Sequence, residues 1–144
     1  MFPDKRQQNR WPLSLWQQVR AMWGDQVSHL PSLTEVTAGR AIADFVYAGR
    51  QTVPLIQVRG SATRARSRDF DANFRPLTRH NADRWHYIAA ASRRGKQLPP
   101  VTLLEVNGVY FVEDGHHRIS VAKAENQTAI EAEVTVLQIT GALP

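Results

Sequence analysis

The chain contains no cysteine. Disulfides, thiolate zinc sites and a cysteine nucleophile are therefore all excluded. Long apolar runs are also missing. The longest unbroken stretch is Tyr87 to Ala91, far short of the ~20 residues that cross a bilayer. The first ten residues, MFPDKRQQNR, place no apolar core after their charges, so a secretory leader is not expected there. A cytoplasmic location is the resulting expectation. Neither repeats nor low-complexity tracts occur. The 144 residues with 42% apolar and 22% charged side chains suit one domain able to bury about two thirds of its unfolded surface.

Acidic residues are scarce where basic ones concentrate. Residues 59–96 hold ten basic and three acidic side chains, a net of +7, although the whole chain carries only +5. Residues 97–144 hold two basic and six acidic. The central excess is nearly all arginine, whose planar fork suits phosphate oxygens. Such a field attracts nucleotides, nucleic acid or acidic partners. The plain alternative is a solvated Arg-rich loop.

Leu15, Val19 and Met22 recur at helical spacing and predict a helix over 14–23 that Gly24 ends. Its neighbouring Trp residues serve packing or a partner face. Ser32 and Glu35 form a capping-box pattern, which predicts a second helix to about Ala48 with Val36, Ala43 and Tyr47 buried. Residues 52–58, TVPLIQV, read as a strand, with Pro54 confining it to an edge or a strand start. The irregular segment 59–80 is long enough to suggest a binding loop. A third helix is expected over 83–94, capped by Asn81 or Asp83 and ended by Gly95. Pro99 and Pro100 then force an extended chain. VTLLEV and VYFVE flank Asn107-Gly108, the signature of a type I′ hairpin. The final element, 130–139, alternates Ile130, Ala132, Val134 and Val136 with Glu131, Glu133 and Thr135, as in a half-buried strand. The expected fold class is α+β, a small mixed sheet with packed helices.

Between the hairpin and the last strand lies Asp114-Gly115-His116-His117-Arg118. A strand ends there, glycine permits a tight turn, and a helix begins. Outward-pointing amides and the helix dipole favour a phosphate at such a point. Arg118 can grip phosphate oxygens, and the imidazoles can donate hydrogen bonds or move protons. The plain alternative is that Asp114 caps the helix and the histidines are surface residues. Asp114 is the preferred carboxylate for a Mg²⁺ ion shared with phosphates, with Glu113 facing the other way. Asp69 and Asp71 suit ion pairs with Arg66 and Arg68. A dedicated transition-metal site is not expected, because neither His116-His117 nor His80 and His86 has the i, i+4 spacing of zinc hydrolases.

The order from Pro99 to Val134, together with VPLIQV upstream and the arginine-bearing loop, resembles the N-terminal domain of the ParB chromosome-partitioning proteins, a fold similar to that of sulfiredoxin and of a group of free-serine kinases. The resemblance covers roughly residues 52–137, and the turn at 114–118 is its specific part. It implies a ParB/sulfiredoxin-like domain over 51–144 and a site for a nucleoside triphosphate (NTP) with Mg²⁺; the helical extension expected over 1–50 has no counterpart in it. It implies phosphate contacts from Gly115, His116, His117 and Arg118, with Arg64, Arg66 and Arg68 closing the site. Asp114 and His117 would be the catalytic pair of an NTPase. The same resemblance leaves a ParB-like nuclease, a small-molecule kinase, and a non-enzymatic DNA- or protein-binding module as alternatives. Sulfiredoxin chemistry is excluded, since His116 and His117 stand where its cysteine would be. The helix-turn-helix part of partition proteins has no counterpart among these residues, so a complete operator reader is not expected. Nucleic acid is an expected partner of segment 59–96, and a homo-oligomer is a further expectation.

Overall fold

The computed structural model describes residues 29–37 and 40–139. The helix expected over 14–23 lies outside them.

Five strands form one mixed sheet: β1 (Ile42–Pro54), β2 (Val58–Ser61), β3 (Val101–Val106), β4 (Val109–Asp114) and β5 (Ala129–Ile139). Their order is β1-β5-β3-β4-β2. β1 runs antiparallel to β5, β5 parallel to β3, β3 antiparallel to β4, and β4 parallel to β2. The helices are α1 (Leu33–Val36), α2 (Arg64–Ser67), α3 (Arg79–Arg93) and α4 (His116–Ala124). The α+β class therefore holds.

The pleat divides the apolar residues between two faces. Leu103, Tyr110 and Val112 join Val134 and the α4 residues Ile119 and Ala122 in the larger core. Their neighbours Leu104, Val109 and Phe111 pack instead with Leu33, Val36 and Leu137. In β5, Ala132 and Val134 are fully buried, while Glu131 and Glu133 reach Arg50, Thr52 and Tyr47 on β1. The Asn107-Gly108 turn closes the hairpin with both residues at positive φ, 49° and 82°, as a type I′ turn requires.

Three expectations are corrected. The second helix does not reach Ala48: α1 ends at Val36, and Ile42–Pro54 is a strand. Val36, Ala43 and Tyr47 fit a helical period, but Tyr47 is well exposed. Pairing with β5, whose partners Ala129 to Ile139 lie far away in the chain, outweighs the local preference. Residues 52–58 do not form one strand either. β1 ends at Pro54, a 3₁₀ turn spans Leu55–Gln57, and β2 starts at Val58. Finally, α3 starts four residues before the expected point. Thr78 caps it by accepting the Asn81 amide at 3.2 Å, so neither Asn81 nor Asp83 is the cap.

Candidate functional site

β4 ends at Asp114, and Gly115 turns the chain into α4 at φ 108°, ψ 26°. This left-handed conformation is open to glycine and costly to other residues. Space makes the same demand. A Cβ on Gly115 would stand 2.5 Å from Val101 Cγ1. No side chain caps α4; Gly115, His116 and His117 are buried and Arg118 is half-buried, so the turn meets solvent mainly at Asp114 and Arg118.

The two histidines that follow point away from solvent. His116 is 1% exposed and its Nε2 lies 2.7 Å from Ser61 Oγ. Its Nδ1 is buried without a hydrogen-bond partner among the described residues. His117 is 5% exposed, with Nε2 at 3.1 Å from Asn81 Oδ1. Phe70 joins them: it stacks on His116 at 5.8 Å and meets His117 edge-on at 5.1 Å. Burial pushes both imidazoles down to about 4; Arg66 adds repulsion at both, and Arg84 and His80 add more at His117. Both are therefore neutral at pH 7.

Arg118 is tied inward as well. Its Nη1 donates to the carbonyls of Pro99 at 2.6 Å and Pro100 at 3.2 Å, and its Nη2 donates to Asp114 Oδ2 at 3.0 Å. The guanidinium thus joins the extended segment before β3 to the turn after β4. It also lines a cleft of about 310 Å³ with Ser92, Lys96 and Gln127. Asp114 is exposed. The loop arginines separate: Arg66 lies close enough to repel charge on both histidines and pairs with Asp69 at 3.6 Å, while Arg64 and Arg68 are exposed and without ion pairs among the described residues. Asp71 accepts the amides of Asn73 and Arg75 instead of pairing with Arg68.

A solved structure of sulfiredoxin from Arabidopsis thaliana matches this chain. The match covers 59% of this chain and 82% of that one, at a TM-score of 0.43 and 19% sequence identity. No family model matches, and no curated protein does. The reading of the site rests on this chain's own residues.

Sequence reasoning did not find Ser61, Phe70, Phe74, Ser120 or the role of Lys123. Ser120 Oγ bonds the Phe74 carbonyl, and Phe74 sits at φ 64°. Lys123 Nζ donates to the Val58 carbonyl at 3.0 Å and lies 4.9 Å from the Phe74 ring centre. Burial, with the Arg59 charge, lowers its pKa to about 8. The only signal was Phe70 and Phe74 in an otherwise polar loop. Their partners are remote in sequence and could not be paired from it.

Proposed function

We propose that the first turn of α4 binds the phosphates of a nucleoside triphosphate. One observation carries the reading: an uncapped turn opened by left-handed Gly115 lies where the positive field of Arg66 and Arg84 converges. Amide hydrogens and the dipole of α4 add partial positive charge there. Among the described residues, the carboxylates that act on the two histidines are Asp114 and Asp69, and both are held in ion pairs.

Roles within the turn differ from residue to residue. The backbone of Gly115 to Arg118 offers hydrogen bonds to phosphate oxygens. Arg66 is the side-chain cation, exchanging its pair with Asp69 for the phosphates. Arg118 fixes the turn against Pro99 and Pro100, and His116 and His117 brace it from beneath. For Mg²⁺, the donor set fits an ion carried in by the nucleotide. Asp114 is the single exposed carboxylate in the turn, and among the described residues no group of three or more His, Asp or Glu is placed to hold a metal. The ion would supply charge neutralisation on the phosphates.

Calorimetric titration with the four common ribonucleoside triphosphates, with and without Mg²⁺, tests the reading. At least one should bind, and Arg66→Glu should weaken it about tenfold or more, the worth of one charge-assisted contact. Arg93→Glu changes net charge equally at the far end of α3 and should leave the affinity within about twofold. Absence of binding by all four, or equal losses in both variants, would refute the site.

A further inference from the structure

α3 presents to solvent an arc of Arg79, Arg93 and Arg94, with His80, His86 and Tyr87 among them. Arg64 and Arg68 on and beside α2 are exposed too. Among the described residues, none of these arginines forms an ion pair or a side-chain hydrogen bond. The nearby acids are few: Asp69 is engaged by Arg66, Asp71 by two backbone amides, and only Asp83 shares the arc. Uncompensated like charges on one surface repel one another, and a polyanion relieves that cost.

The chemistry narrows the polyanion. Guanidinium groups favour phosphate oxygens and stack on planar rings. Tyr87 is 69% exposed within the charged arc, where a ring gains nothing from the protein's own core. Successive bases of a single strand stack on such rings, and duplex bases do not offer their faces. A lipid surface would call for a broad apolar face opposite the cations. Beside Tyr87, Leu77 is the one large exposed apolar side chain near α3 among the described residues. We propose that the outer face of α3, with α2 beside it, binds single-stranded nucleic acid, arginines on the phosphates and Tyr87 against a base. The proposal does not depend on a nucleotide occupying the α4 turn.

The test is fluorescence anisotropy with a labelled single strand of mixed sequence, its duplex, heparin, and vesicles containing phosphatidylserine. The single strand should bind most tightly, with log K falling as log salt rises at a slope of about −2 to −3, as for three or four phosphates. The triple variant Arg79→Glu, Arg93→Glu, Arg94→Glu should lose about tenfold or more and show a shallower slope. Tyr87→Ala should weaken the single strand about fivefold or more, as loss of one stacked base does, and leave heparin binding unchanged. Arg66→Glu, which removes the α4-turn cation, should keep most of the oligonucleotide affinity. Preference for duplex or vesicles, an unaffected triple variant, or equal losses of heparin and single strand in Tyr87→Ala would each overturn the proposal. Arg79, Tyr87, Arg93 and Arg94 are exposed and Arg66 is half-buried, so circular dichroism should report an unchanged fold.

Discussion

Two adjacent imidazoles in the core give the molecule an acid-sensitive spot. His116 and His117 are held near 4 when folded, against about 6.5 in an unfolded chain. The unfolded state therefore takes up protons first as the pH drops. Their contribution is complete above about 6.5, is lost as the pH falls from 6.5 towards 4, and changes no further below that. Each histidine adds a slope approaching ~1.4 kcal/mol per pH unit within the window. Urea denaturation at closely spaced pH values should show it. In His117→Asn the slope should fall by roughly half; an unaltered slope would show that His117 charges freely in the native state. Gly115 is the other sensitive residue. Gly115→Ala meets both the left-handed backbone and Val101, and should cost about 2 kcal/mol or more. Val101→Ala costs stability by itself in this buried position, but it removes the Cγ1 in the way, so the double variant should lose less than the sum of the two single losses in chemical denaturation.

Elements were legible where a local rule and the long-range pairing agree. Asn107-Gly108 demanded positive φ and sits between β-rich runs, so the hairpin could be read directly. The alternation of β5 survived because one face of the strand is buried and the other meets β1. β1 itself was misread. Its apolar residues fit a helical period by accident, and half the strand has no buried face to impose a period of two. The start of α3 was missed because Thr78 follows a Pro-containing loop and gave no apolar cue. Thr78 accepts from both the amide and the side chain of Asn81, and Asn81 in turn holds His117. Thr78→Ala should therefore cost about 1 kcal/mol as a lost cap. It should also raise the His117 pKa as the Asn81 side chain loosens and water enters, measurable by following the imidazole in an NMR titration. A lost cap with an unmoved pKa would separate the two roles.

At the scale of the molecule, the glycine turn at 114–118 was visible from residue types alone, and its surroundings were not. Ser61, Phe70 and Asn81 come to the turn from β2, the loop after α2, and α3, and no spacing rule links them. The inward grip of Arg118 on Pro99 and Pro100 was hidden for the same reason. Arg118→Ala should lower the melting temperature, since two carbonyls and Asp114 lose a charged donor. Nucleotide should act in the opposite direction. A triphosphate at a hundredfold excess over its Kd stabilises the fold by about 2.7 kcal/mol, a rise of roughly 5–10 °C for a chain of this size. A thermal shift present in the parent and cut to about half or less in Arg66→Glu at the same nucleotide concentration would tie that gain to the α4 turn.

Phe70 lies flat on one imidazole and edge-on to the other. The circulating π electrons of an aromatic ring shield nuclei above its plane and deshield those at its rim. The carbon-bound protons of His116 and His117 should therefore resonate away from the positions of the other histidines, each displaced according to its place around the ring. Any occupant that shifts the backbone of the turn by a fraction of an ångström would move these signals. The protein thus carries its own unlabelled magnetic gauge of what happens at Gly115.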